Sequence, residues 1–343
     1  MKFAEMAVVI MRGINQKQIA EQAGVSVTTV SRVINRSGYV KEDVRKKVEE
    51  IISKTGYIQV EHSFTQKRRM IGIISTCMEL NPYFSRFSLC IQKECEKENY
   101  QAVFLQASHI TNQVLKDYTK QLAFMGACGI VVCGFEEQSL ASDTRRELSE
   151  CRLPIVFIER TADCYGFDRV LVDSEMGTQM AAKYLLEKGH RHLLYISQSG
   201  KTKVENARLE GLHRAVRGWK QESWCQEKFC SSFSPKEASD MVRRALEEDK
   251  DITGILAWND IYAIGAVMAV LEKDRRVPEE IEIIGYDDIL AGNLSPALSS
   301  VKMPIEEMAA YALEIIIMKN TKPQKMVART VTLEPKLVIR SSR

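Results

Sequence analysis

The apolar positions of residues 14–35, INQKQIAEQAGVSVTTVSRVIN, follow a helical period that breaks once and then resumes. Ile19, Ala20 and Ala23 form an apolar stripe on a first helix of about two turns, and Ala20 is small enough for a second helix to cross closely. Gly24 supplies the positive φ that ends this helix, Val25 plugs the corner, and Ser26 has the position and chemistry of an N-cap. Val30, Val33 and Ile34 make the buried face of the second helix. That leaves Val27, Thr28, Thr29, Ser31 and Arg32 toward its start and outer side, small, hydrogen-bonding or cationic side chains of the kind that read base edges in a major groove. From Met70 onward the pattern changes. Short apolar runs (residues 71–74, 102–105, 130–133, 155–158, 193–196, 255–258 and 281–285) alternate with amphipathic stretches such as 85–98, 176–188, 206–218 and 261–274. Such alternation makes parallel, doubly wound sheets covered on both faces, with ligands bound where the carboxyl ends of the strands open into a crevice.

Charge separates the same two regions. Twelve Lys/Arg against six Asp/Glu between Arg12 and Arg69 give +6 in a chain whose total is +3; residues 1–11 balance, so residues 70–343 carry −3. Positive charge is therefore concentrated around the helix-turn-helix, as phosphate neutralisation requires. At 343 residues the chain exceeds one core of ordinary size, and its 45% apolar content suffices for two or three. No apolar run approaches the ~20 residues of a membrane span, so no membrane partner is expected. The tract at residues 7–11 is shorter than a secretory core and follows Glu5; it is either an extension or a sign that translation starts at Met11. Nine cysteines without a C-x-x-C pair argue against a disulfide framework and a zinc site, and for a reducing, cytoplasmic setting. Cys90 with Cys95, and Cys225 with Cys230, are spaced for either a redox switch or buried inert thiols, and the latter is favoured.

The run Ile19-Ala20, Ala23-Gly24-Val25-Ser26, Thr29-Val30-Ser31-Arg32-Val33-Ile34-Asn35 resembles the signature of the lactose-repressor (LacI/GalR) family of transcription regulators. A third helix follows at residues 42–55, with Val44, Val48, Ile51 and Ile52 inward and Gly56-Tyr57 closing it. The resemblance implies that Val27, Thr28 and Arg32 contact bases, while Ser26, Thr29, Ser31, Asn35 and Tyr39 contact or support phosphates. For Arg32 a phosphate clamp stands equally open. The likeness continues through Asn81-Pro82-Tyr83-Phe84, Val172-Asp173-Ser174, Gly189-His190-Arg191, Arg208 with Gly211, Asn259-Asp260, Val277-Pro278-Glu279, Gly285-Tyr286-Asp287-Asp288 and residues 333–340. It implies an all-α helix-turn-helix head followed by a two-subdomain α/β body similar to periplasmic-binding proteins of type I. The expected limits are an N-terminal extension at 1–13, the head at 14–57, a hinge at 58–69, and a body at 70–343. Within the body, an N-subdomain takes about 70–170 and 301–331 and a C-subdomain about 172–300 and 332–343, with crossings near Val170, Val301 and Val331.

Carried over in the same way, the effector cleft includes Asn81, Tyr83, Phe84, Glu159, Arg208, Trp258, Asn259 and Asp287. Arg208 offers a planar fork of donors, Glu159 and Asp287 accept from hydroxyls, Asn259 does both, and Tyr83, Phe84, Trp258 and Tyr286 supply an apolar wall. Trp258 equally suits the core, and Asp260 and Asp288 suit loop capping. Glu159 stands where many relatives carry Asp, and Met303 near where some sugar-responsive members carry Gln, which points to a smaller or less hydroxylated ligand. In the hinge, Gln59 and Val60 replace the family's Pro-Asn start and Gln66 falls at its wedging leucine. Phe64 then serves either as the wedge or as part of a flexible tether, with Lys67, Arg68 and Arg69 left to hold phosphates.

The expected function is a ligand-responsive repressor, binding a palindromic double-stranded DNA operator as a homodimer and controlled by a small sugar-like effector, with no cofactor. No leucine heptads follow Arg340, so a dimer without a C-terminal tetramerising helix is expected. The alternatives are an enzyme or a solute-binding protein on the same fold. His190, Arg191 and His192 cluster in sequence, but neighbours on an entering strand point to opposite faces, and phosphate-loop, H-E-x-x-H and G-x-S-x-G patterns are absent.

Overall fold

A computed structural model describes residues 16–34, 37–55, 69–76, 81–135, 137, 139–159, 164–198, 202–321 and 327–340. The chain divides into two compact units, residues 1–67 and 68–343.

In the first unit, α1 (Gln16–Ala23), α2 (Val27–Ile34) and α3 (Glu42–Thr55) pack on one another. Their small core consists of Ile19, Ala20, Ala23, Val30, Val33 and Val48, flanked by Val25, Ile34, Val40, Ile51 and Ile52. Gly24 takes φ +69, and the Val25 N–H returns to the Ala20 carbonyl at 3.0 Å, so the corner residue closes the first helix while its side chain packs inward.

The second unit holds two six-stranded sheets. The first is built from β1 (Arg69–Thr76), β2 (Tyr100–Ala107), β3 (Ala127–Cys133), β4 (Ile155–Ile158), β5 (Asp168–Val172) and β11 (Thr330–Leu333), in the order β11-β5-β4-β3-β1-β2 with every pairing parallel. The second contains β6 (His192–Gln198), β7 (Trp224–Cys230), β8 (Gly254–Ala257), β9 (Glu282–Asp287), β10 (Ser299–Lys302) and β12 (Lys336–Val338), in the order β12-β10-β9-β8-β6-β7. Here β12 runs antiparallel to β10, a departure from the all-parallel sheet that the strand and helix alternation predicts. The chain passes between the sheets at residues 172–174, 302–305 and 333–336.

Side-chain alternation along the strands explains the layering. Ile71, Ile73, Val131 and Cys133 share a core with Phe87 and Ile91 of α4 (Pro82–Lys97) and Met308 of α11 (Ile305–Thr321). Ile74, Ile130 and Val132 share another with Leu115 and Leu122 of α5 (Asn112–Phe124) and Leu148 of α6 (Ser142–Glu150). The second sheet is covered by α7 (Ser174–Glu187) and α8 (Lys203–Arg217), and by α9 (Pro235–Glu248) and α10 (Asp260–Leu271). Helices α7 and α8 meet across Gly211, where a Cβ would stand 2.1 Å from the Glu175 carbonyl oxygen. The pattern did not reveal β5, β7, β10, β11 or β12. β7, WCQEKFC, is an edge strand that is mostly half-exposed, and β10 to β12 span only three or four residues each.

Candidate functional site

In the first unit the candidate surface is the outer side of α2. The Ser26 hydroxyl accepts from the Thr29 N–H at 3.1 Å and lies 2.9 Å from the Thr29 hydroxyl, so these two residues fix the start of the helix. Val27, Thr28 and Arg32 are left exposed, and Ser31 is half-buried beside them. Gly38, at φ +71, lies against the aliphatic stem of Arg32: a Cβ there would be 3.5 Å from Arg32 Cδ. Tyr39 is 86% exposed. Asn35, Phe64, Lys67 and Arg68 lie outside the described residues; Arg69 is the exposed first residue of β1.

In the second unit the two sheets present their carboxyl ends to one cavity, lined by Asn81, Tyr83, Phe84, Cys133, Gly134, Ile158, Glu159, Val204, Arg208, Trp258 and Asp287. Each acid follows or ends a strand, Glu159 after β4 and Asp287 at the end of β9. Both have left-handed backbone, with φ +35 and +95. Non-glycine residues hold such angles at about 1–3 kcal/mol each and do so mostly where a side chain must be aimed. Gly134, at φ +93, lets the chain pass under Phe84 and Thr76; a Cβ there would meet the Thr76 hydroxyl at 2.3 Å.

Arg208, 3% exposed, reaches in from α8. One guanidinium nitrogen donates to the Trp258 carbonyl and another stands 3.7 Å from the Asp287 carboxylate. The guanidinium lies 3.5 Å from the centre of the Tyr286 ring and 5.1 Å from that of Trp258. Burial opposes its charge, yet the oxygens of Tyr286, Asp287 and Glu159 hold its pKa above the ordinary value. Burial pushes the Tyr286 phenol up to about 12 despite the nearby cation. Burial also keeps the Tyr83 phenol protonated, with Cys133, Glu159 and Asp287 adding to the effect. The arrangement leaves about 30 Å³ of free space, room for about one water.

Of the eight residues expected in the cleft, seven line this cavity. Asn259 does not. It is 1% exposed and its side-chain oxygen accepts from the Tyr262 N–H at 3.0 Å, capping α10. Asn81 caps α4 through the Tyr83 N–H while still lining the cavity. Trp258 is both core and wall. The Tyr286 face is covered by the Arg208 guanidinium, and Met303 is buried outside the lining set. Asp260 and Asp288 order loops. Asp260 accepts from the N–H groups of Ile289, Leu290 and Ala291 and from the Ser300 hydroxyl, and Asp288 pairs with Arg340 at 2.6 Å. Residue-by-residue reading missed Cys133, Gly134, Ile158 and Val204; the first three sit at strand carboxyl ends, where the crevice rule points. His190 turns to Glu282 and Thr253, whereas His192 turns to Asp249, so the two histidines share no ligand geometry.

A family model described as bacterial regulatory proteins, lacI family, matches residues 16–59, and one described as periplasmic binding protein-like domain matches residues 182–343. The chain is 30% identical over 334 residues to the HTH-type transcriptional repressor PurR of Pasteurella multocida (strain Pm70), covering 95% of this chain and 97% of that one. It is 28% identical over 332 residues to the HTH-type transcriptional regulator DegA of Bacillus subtilis (strain 168), covering 94% and 96%. Its fold is similar to that of the lac repressor dimer bound to operator and the anti-inducer ONPF, with a TM-score of 0.71 at 21% identity over 96% of this chain and 99% of the other. With the helix-turn-helix head, the two-sheet body and these full-length likenesses together, the chain belongs to the lacI family of bacterial regulatory proteins and is a DNA-binding transcriptional regulator.

Proposed function

We propose that this regulator is a cytoplasmic repressor that binds a palindromic operator as a homodimer and responds to a small sugar-like effector in the two-sheet cleft. The observation that carries the reading is the α2 surface: Val27, Thr28 and Arg32 stand exposed on a helix whose start is fixed by Ser26 and Thr29. One head covers a half-site, and two linked heads gain by effective concentration. Ser31, Asn35 and Tyr39 serve the phosphates in this reading, as do Lys67, Arg68 and Arg69 of the hinge. Sugar-like chemistry suits the cleft because Glu159, Asp287, Asn81 and Arg208 surround a space walled by Tyr83, Phe84 and Trp258. Relatives of the same fold include a regulator from Enterococcus faecium with bound ribose and a CelR–cellobiose complex. A sugar-sized molecule exceeds the free space of this cavity, and the opening of the cleft that admits it is the event the heads would sense.

Selection of genomic fragments by the purified protein, followed by mobility-shift titration, tests the reading. A palindromic site with affinity falling steeply in salt is expected, and Arg32→Ala should weaken it by ~1–3 kcal/mol if Arg32 reads a guanine. Equal losses on specific and random DNA reduce Arg32 to a phosphate contact, and failure to bind any fragment removes the operator from the reading.

A further inference from the structure

At the amino-terminal ends of the strands of the second sheet, opposite the carboxyl ends that face the effector cleft, three metal-ligating side chains converge. His192 opens β6, Asp249 ends α9 as its C-cap, and Asp251 lies two residues on, in the turn before β8. One ligand atom from each lies within 4.8 Å of the others. Ligand atoms ~2.1 Å from a tetrahedral ion stand ~3.4 Å apart, so closing the set on an ion takes a movement of about an ångström at the most distant pair. All three side chains are at least partly exposed, which permits both that movement and entry from solvent.

A second feature of the cluster points to a cation. His192 Nδ1 lies 3.2 Å from Asp249 Oδ2 and 2.9 Å from the indole nitrogen of Trp224. The indole N–H only donates and an ionised carboxylate only accepts, whereas Nδ1 carries either a proton or a lone pair. With the proton, Nδ1 serves Asp249 and faces the indole N–H with another N–H. With the lone pair, it serves Trp224 and opposes the carboxylate. Neither state satisfies both neighbours. A cation held between Nδ1 and the carboxylates turns the opposed lone pairs into ligands.

We propose that His192, Asp249 and Asp251 form a binding site for a borderline divalent transition-metal ion, of which zinc is the natural occupant class. One imidazole nitrogen with two carboxylates suits Zn²⁺, Ni²⁺ or Co²⁺; Ca²⁺ takes six to eight oxygens and Mg²⁺ near-ideal octahedral oxygen sites. Three partly exposed ligands with water completing the shell make an open site of moderate affinity. Its ion would clamp the turn after α9 to the start of β6. Lys250 stands between the two aspartates in sequence and competes electrostatically.

Trp224 is the built-in reporter, because its ring meets the His192 ring edge-on at 5.1 Å between centroids. The full-length protein, stripped with chelator, is titrated with NiCl₂ while indole fluorescence is followed, and with ZnCl₂ by calorimetry. One equivalent per chain is expected, with quenching of a component that Trp224→Phe removes. His192→Ala and Asp251→Asn, both at surface positions, should each weaken binding by at least tenfold, in line with the loss of one ligand in three. Absence of heat and quenching at millimolar metal overturns the assignment. So does binding of undiminished affinity in both variants, which would place the ion elsewhere, on the thiols or the other histidines.

Discussion

Replacement of Arg208 by methionine separates what the buried guanidinium does for stability from what it does for the effector. Methionine keeps much of the stem volume and removes the charge. The donation to the Trp258 carbonyl contributes ~1.5–3 kcal/mol as a charge-assisted bond, and stacking on Tyr286 adds up to ~2 kcal/mol. Burying the charge costs several kcal/mol, so these largely offset one another. What remains is the effect on Asp287 and Glu159, which lose the guanidinium they share. Removing one partner of a buried pair costs ~3–5 kcal/mol; the 3.7 Å separation and the partial exposure of Asp287 bring this to ~2–3 kcal/mol. At ~2 °C per kcal/mol for a unit of this size, Arg208→Met should melt ~4–6 °C below wild type. The double variant Arg208→Met/Asp287→Asn should recover at least half of that loss, because it removes both charges and asparagine tolerates left-handed backbone. Scanning calorimetry of the three proteins measures this, and any polyol that raises the wild-type melting temperature should fail to raise that of either variant. A single variant as stable as wild type, or a double variant less stable than the single, would refute the coupling. A retained polyol response would remove Arg208 from the site.

Three further outcomes follow from other parts of the molecule. Gly211→Ala places a Cβ 2.1 Å from the backbone oxygen of Glu175, which cannot yield without parting α7 from α8; overpacking of ~3 kcal/mol or more is expected, read as a lowered urea midpoint. The Glu237 carboxylate is held down at about 2 by the Ser232 hydroxyl and the Ser231 backbone N–H, with further bonds from both serines. Its contribution is full above the ordinary carboxylate value and lost as the pH falls toward 2, so the ~1 kcal/mol cost of Glu237→Gln should shrink between ~pH 6 and ~pH 3 in urea titrations. In the hinge, operator bending that depends on Phe64 should fall in Phe64→Ala, and a bend of unchanged size in circular-permutation assays would leave the residue as part of a tether.

The head was legible in the sequence because its determinants are local. The stripe of Ile19, Ala20 and Ala23, the positive φ of Gly24, the Ser26 cap and the face of Val30 and Val33 all act within a few helical turns, and the structure realises each. The central strands were legible for a similar reason: a strand buried on both faces is written as a continuous apolar run, as in β1, β3, β4 and β6. Edge strands carry no such mark. β7 alternates only weakly, and β11 and β12 are defined by what they pair with, β5 and β10, more than 150 and about 35 residues away respectively. The cleft shows the same division. Sequence supplied the donors and acceptors, but only the tertiary structure decided that Asn259 caps a helix, that Asp260 gathers three backbone N–H groups from a loop about 30 residues on, and that Arg208 lies on the face of Tyr286. Chemistry resides in the residue type and is visible at once. Whether a polar group faces a ligand or its own backbone depends on which unsatisfied N–H the fold brings within ~3 Å of it, and that is a property of the folded chain.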